Sequence, residues 1–168
     1  CRTEDERQRT AELIRPILRG RDIKRYGYNW DNLWLINTHN GIKGVKPRIN
    51  INEYSAVKAY LDQHWDKISK RADKGDTPYN LRNCAYMEDF YKPKIVWGNL
   101  NLSAAYSIAA DGIFVNAPCP MIVPASKYLL AILNSKVADY YIRQLGVTRN
   151  GGYFEYKPMF VENLPVPK

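Results

Sequence analysis

Apolar residues keep a helical spacing for long in only two stretches of this chain, and that limits the fold more than any other feature. In EYSAVKAYLDQHWDKISKR at 53–71, Tyr54, Val57, Leu61, Trp65 and Ile68 recur at three- and four-residue steps, which gives one apolar helix face. Asn50, with Glu53 three residues on, supplies N-cap chemistry, and Lys67, Lys70 and Arg71 suit the C-terminal end. A second helical segment covers about 125–145 in ASKYLLAILNSKVADYYIRQLG. Asn134-Ser135 is expected to break it in two, because both residues prefer caps to helix interiors, and Gly146 reads as its C-terminal stop. The remaining apolar runs are short and bounded by turn residues, as strands are. They are NLWLINTH at 32–39, KPKIVWGNLN at 92–101, a hairpin over YSIAADGIFVNAP at 106–118 turned at Asp111-Gly112, and the strand that follows the glycine turn in VTRNGGYFEYKP. Leu13, Ile14, Ile17 and Leu18 make a further short apolar run, followed by a turn at Gly20 and an expected short helical turn over Asp22–Arg25. The expected fold is a single α+β domain: a twisted, mainly antiparallel sheet with packed helices. With 168 residues and 45% hydrophobic content the chain can build one sizeable core. Residues 1–12, CRTEDERQRTAE, carry charge without apolar periodicity and read as a frayed or linker-derived entry to a domain over 13–168. Residues 72–83, ADKGDTPYNLRN, are loop chemistry.

Catalytic signatures are sparse. The chain has no glycine-rich phosphate loop, no GxSxG elbow, no HExxH and no paired-cysteine zinc pattern. Cys1, Cys84 and Cys119 are far apart, and His39 and His64 lack ligand spacing, so neither a disulfide framework nor a metal site is expected. Glu155-Tyr156-Lys157 matches the ExK half of a metal-dependent nuclease site, with Asp139 and Asp111 the available partner aspartates. In GGYFEYKP the same residues also suit a strand with one wet face. No apolar run approaches the ~20 residues needed to span a bilayer and no signal-peptide segment is evident, so the expected setting is cytoplasmic and no membrane partner is expected. A chain that starts at Cys1 and runs straight into charge reads as a piece of something longer.

Charge supplies the positive evidence. Lys+Arg number 25 against 17 Asp+Glu, a net +8, which favours a polyanion. RGRDIKRYGY at 19–28 groups Arg19, Arg21, Lys24 and Arg25, and with Lys92 and Lys94 these suit DNA phosphates, which give affinity and register without sequence information. Asn80 with Arg82, Asn99 with Asn101, and Arg149 with Asn150 and Tyr153 sit on expected loops. Arginine can donate two bonds to the guanine edge and asparagine can pair with the adenine edge, so these are the candidate base readers. Two other functions use the same residues: a metal-dependent nuclease acting through the ExK triplet, and a protein-interaction module docking an acidic partner on the aromatic, basic face.

The order of motifs resembles the C-terminal specificity domain of TaqI-like and Eco57I-like restriction–modification enzymes, itself similar to the target-recognition domains of type I specificity subunits. The resemblance rests on IRPILRGRDIKRYGY at 14–28, KPKIVWGNL at 92–100, YLLAILNSKVADYYIRQLG at 128–146 and the exit NLPVPK at 163–168. It implies a DNA target-recognition domain that reads a short asymmetric duplex sequence for an adenine-specific methyltransferase, often fused to an endonuclease. The methylase half of such proteins carries a cofactor-binding glycine motif and an NPPY-type motif, and this chain contains neither. The implied cofactors, S-adenosylmethionine and, with a nuclease, Mg2+, therefore belong to the parent protein and not to this fragment. The implied partners are double-stranded DNA and the methyltransferase or nuclease domain of the same polypeptide or complex. Recognition loops vary with target in this family, so no base-reading residue is carried over by name.

Overall fold

The computed structural model describes residue 1 and residues 3–167; Arg2 and Lys168 lie outside the described residues. The first half of the chain contains α1 (Glu4–Leu13), β1 (Ile14–Leu18), β2 (Ile23–Lys24), β3 (Gly27–Tyr28), β4 (Trp34–Ile36), α2 (Ser55–Asp62) and α3 (Trp65–Ser69). The second half contains β5 (Lys94–Trp97), β6 (Leu100–Asn101), β7 (Tyr106–Ala109), β8 (Phe114–Val115), β9 (Met121–Ile122), α4 (Lys127–Leu133), α5 (Lys136–Leu145), β10 (Thr148–Arg149), β11 (Tyr153–Glu155) and α6 (Pro158–Val161). The fold is α+β, and its strand pairings are mainly antiparallel. Two compact units are formed, one from residues 1–15 and 34–87 and the other from 16–33 and 88–168.

In the first unit, the stretch read as a frayed entry is the helix α1. Apolar periodicity does not signal it, because its stability comes from its ends. Thr3 Oγ1 accepts from the Glu6 N–H, and Glu4, Asp5 and Glu6 place negative charge on the positive end of the helix dipole. Glu6 is itself buried and accepts from the Ser55 hydroxyl at 2.5 Å and the Ala56 N–H at 3.2 Å, which caps the start of α2 from outside. The expected helix over 53–71 is divided. Asn50 does act as a cap, but of a 3-10 turn at Ile51–Glu53, and α2 stops at Asp62. There the Gln63 and His64 N–H groups reach back only three residues, to the Tyr60 and Leu61 carbonyls, and α3 restarts with Trp65 against the Tyr79 ring at 5.3 Å.

In the second unit, β5 is central, paired antiparallel to both β7 and β9. Ile95, Trp97, Tyr106, Leu133, Ile142 and Tyr156 are buried together here, and the Trp97 indole donates to the Tyr156 carbonyl at 2.6 Å. The second helical segment breaks where its sequence says it must: Ser126 caps α4 and Ser135 caps α5. Asn134, between them, does more than stop a helix. Its Oδ1 accepts from the Tyr106 N–H at 3.0 Å and its Nδ2 donates to the Tyr106 carbonyl at 2.9 Å, so a side chain takes the place of a neighbouring strand along β7. Gly146 ends α5 as expected, but without a left-handed conformation. Its φ is −83°, and a Cβ there would sit 2.6 Å from the Glu155 carbonyl oxygen. The hairpin expected over 106–118 does not form either. Gly112, at φ 76°, turns the chain, but β7 pairs with β5, whereas β8 runs parallel to β1 through Ile17–Phe114 and Leu18–Val115.

Candidate nucleic-acid interface

One wall of the site is the β10–β11 ribbon. Its turn, Asn150–Gly152, uses φ values of 78° at Gly151 and Gly152, which glycine adopts without steric cost. Arg149 then lies opposite Tyr153, and β11 continues onto β6 through Phe154–Asn101 and Glu155–Leu100. Strand alternation turns Phe154 and Tyr156 inward: Phe154 lies under the Arg143 guanidinium at 4.3 Å, and the buried Tyr156 hydroxyl donates to Asp139 at 2.5 Å. Tyr153 and Glu155 take the other face. Glu155 is buried, yet both its oxygens are satisfied, Oε2 by Lys157 at 3.0 Å and Oε1 by Arg149. Those two cations, Lys157 foremost, hold its carboxyl below the usual glutamate range. A buried carboxylate thus fixes two half-exposed cations in place.

RGRDIKRYGY builds the facing wall. Asp22 accepts from the Arg19 N–H at 2.8 Å and from its guanidinium at 3.0 and 2.9 Å, and Arg19 also reaches Asp31. Arg19 holds the Asp22 carboxyl below the usual aspartate range, and the two aspartates raise the guanidinium above its own. With that clamp closed, Gly20 abuts Gly98: a Cβ on Gly20 would lie 3.3 Å from the Gly98 Cα. Between the walls runs a groove of about 870 Å³, whose lining includes Arg21, Lys24, Asn99, Asn101, Arg149, Tyr153, Glu155 and Lys157. Its charged lining is four cations and one carboxylate. Cys119 also borders it, but burial pushes the thiol up to about 11, so a thiolate is absent at neutral pH.

Six of the residues singled out from sequence therefore line one groove: Arg21, Lys24, Asn99, Asn101, Arg149 and Tyr153. Asn99 carries its Oδ1 out of solvent with no hydrogen-bond partner among the described residues, and Asn101 donates to the Gly98 carbonyl at 2.7 Å. Lys24 donates to the Arg21 carbonyl at 2.7 Å. Asn150 is exposed at the ribbon's turn, Arg25 donates to the Asn134 carbonyl at 2.9 Å, and Lys92 pairs with Asp89 at 2.7 Å. Two residues must be withdrawn from any DNA contact. Lys94 is fully buried and gives its ammonium protons to the Phe90, Lys92 and Ala110 carbonyls at 2.8, 3.0 and 2.9 Å, so it cannot reach a phosphate. Asn80 is buried in the first unit, where it donates to the Ile49 carbonyl at 3.0 Å and accepts from the Thr77 hydroxyl at 2.6 Å, leaving no edge for a base. Arg82, also in the first unit, is exposed and paired with Asp73 at 3.3 Å. The groove cation absent from the sequence-based DNA candidates is Lys157, in extended backbone just past β11, where its spacing of two residues from Glu155 places both on one face.

Asp139, one aspartate considered for the ExK triplet, is engaged by the Tyr156 hydroxyl, the Ala104 N–H at 2.9 Å and Arg143 at 3.0 Å; the other, Asp111, is exposed at the turn before β8. Among the described residues no group of three or more His, Cys, Asp or Glu side chains is placed to hold a metal ion, and no helix is long and apolar enough to cross a membrane. None of the curated proteins compared with the chain matches it. The sequence model of the TaqI-like C-terminal specificity domain matches residues 15–166, a span that takes in both walls of the groove and the exit motif up to Val166. On that match, the chain belongs to the family of TaqI-like C-terminal specificity domains.

Proposed function

We propose that residues 13–168 form the target-recognition domain of an adenine-specific DNA methyltransferase, and that the groove of the second unit receives one edge of the duplex. A TaqI-like specificity domain is a DNA-recognition module of a restriction–modification system. One observation carries the finer reading: basic and amide side chains from separate chain segments, Arg21 and Lys24 on one wall and Asn99, Asn101 and Arg149 on the other, converge on one groove. β10 and β11 form a three-stranded sheet with β6, and the exposed residues at its β10–β11 end, Arg149, Asn150 and Tyr153, include the donors that base edges require. Arg21, Lys24 and Lys157 suit phosphates. Binding of this kind would hold a target adenine where an attached methyltransferase domain can turn it out of the stack. S-adenosylmethionine would be held by that domain, and Mg2+ by a nuclease domain where one is fused, with the cytoplasm as the working compartment.

The nuclease alternative asks Glu155 to ligate a divalent ion. Both of its oxygens are already taken by Arg149 and Lys157, so the triplet serves the wall of the groove. Anisotropy titrations of a labelled duplex at several salt concentrations test the binding reading. Each phosphate neutralised contributes about −0.9 to the slope of log K against log salt, so three to four groove cations predict a slope of about −3 to −4. A chain with no salt-sensitive affinity for any duplex would rule out direct DNA recognition.

A further inference from the structure

Tyr26 holds a backbone conformation that its residue type disfavours. Lys24 pairs with Gly27 across β2 and β3, which makes Arg25 and Tyr26 a two-residue turn, and Tyr26 takes φ 65°. Glycine or asparagine suits such a position, whereas a bulky side chain there is an outlier. The other non-glycine residue with positive φ among the described residues is Asn32, a type that tolerates it. Two hydrogen bonds keep the turn in place, Tyr26 N–H to the Tyr106 carbonyl at 2.9 Å and Arg25 to the Asn134 carbonyl at 2.9 Å. Glycine would relieve the backbone and keep both bonds. What it would remove is a ring that stands 55% exposed beneath the Arg25 guanidinium, 5.2 Å from its centroid. The strand leading into this turn supplies Lys24 to the groove.

We propose that Tyr26 is a stacking contact for DNA at the margin of the groove, its ring taking the flat face of a nucleotide where Arg25 and Lys24 attract the backbone. The inference rests on the DNA-binding reading above. Base stacking on aromatic side chains is tolerant of sequence, so the contact adds affinity without choosing a target. The flat face is either an unstacked base or a deoxyribose, and two probes separate them: a fluorescein-labelled random-sequence duplex, and the same duplex with one unpaired base.

With the 168-residue chain, Tyr26→Gly is expected to leave the thermal midpoint unchanged or raised and to weaken binding about five- to a hundredfold, while Tyr26→Phe stays within about twofold. A loss confined to the unpaired-base probe assigns the ring to a base; an equal loss on both assigns it to the sugar. Unchanged binding of both probes by Tyr26→Gly overturns the inference and leaves the DNA reading intact, whereas wild type that binds neither probe overturns both. Should Tyr26→Gly fail to fold, Tyr26→Asn, which accepts this φ and lacks the ring, is read by the same outcomes.

Discussion

Replacing Asn134 by alanine removes a side chain that acts as a strand. In the wild type it satisfies both backbone groups of Tyr106, while the Tyr106 carbonyl also accepts from Tyr26. After truncation that carbonyl keeps the Tyr26 bond, but the N–H is left buried with nothing to bond. An orphaned buried donor costs about 1–3 kcal/mol, and the second lost hydrogen bond about 1 more, so the expected destabilisation is about 2–4 kcal/mol. Urea unfolding reads this directly: at an m value of about 2 kcal/mol/M the midpoint falls by about 1–2 M with m unchanged. Asn134→Asp adds a signature that packing alone cannot produce. It keeps an acceptor for the N–H but turns a carboxylate oxygen toward the Tyr106 carbonyl, which favours the protonated form in the folded state and raises the folded pKa above the unfolded value near 3.9. The folded state then binds more protons than the unfolded one below neutral pH, so this variant gains stability as pH falls from 7 toward 4. An alanine cost under about 0.5 kcal/mol, or an aspartate variant indifferent to pH, would refute the strand-replacement account. The stakes extend to the interface, because the same network anchors Arg25 and Tyr26, so two of the motifs that carry the family resemblance meet at this point.

Lys94, whose ammonium burial pulls its pKa down to about 8, should make stability rise with pH between about 8 and 10.5, where the folded state has released a proton the unfolded state still holds, by up to about 3 kcal/mol. Comparing wild type with Lys94→Met by urea unfolding across that range isolates the effect; parallel profiles would contradict it. Gly98→Ala puts a Cβ 3.3 Å from the Gly20 backbone, so the groove walls must move and stability is expected to fall by about 1–3 kcal/mol together with duplex affinity; wild-type values of both would show that the close approach is not needed. Glu155→Gln frees Arg149 and Lys157 from their shared carboxylate, and the expected result in competition binding is weaker discrimination between sequences with non-specific affinity retained or increased. Removing charge at Arg21 and Lys24 is expected to weaken all duplexes alike and to lower the salt slope by about 2, whereas Asn101→Ala changes which sequence is preferred. Equal loss of discrimination from both groups would show this division of labour to be wrong.

What the sequence announces here is local. The helix break at Asn134-Ser135 was legible because Ser and Asn compete for backbone bonds in any context, and the alternation of residues 153–156 because it needs only neighbours, although the face expected to be wet buries Glu155 beneath Arg149 and Lys157. Long-range partners were not legible. α1 has almost no apolar face, and the stabilising role of Glu6 lies 49 residues away at Ser55. The parallel pairing of β1 with β8 leaves no mark in either segment, so the turn at Gly112 looked like a hairpin. Polar residues misled in the same way: Lys94 and Asn80 resemble surface residues until backbone carbonyls are placed around them. Arg19 suits a phosphate by its charge alone, yet Asp22, three residues on, carries the cap chemistry that claims it. The candidate site was legible as a set of side chains but not as a place, because the contact of Gly20 with Gly98 that closes the groove joins glycines 78 positions apart.

Selection of bound duplexes from a randomised pool, carried out with wild type and with Arg149→Ala, tests most directly whether this groove reads DNA sequence. Wild type is expected to enrich one short, asymmetric sequence and the variant to relax it at a single position, for a loss of about 1–3 kcal/mol there. A wild-type pool that stays random, or an enriched sequence that the variant reproduces without change, would contradict sequence reading by this groove.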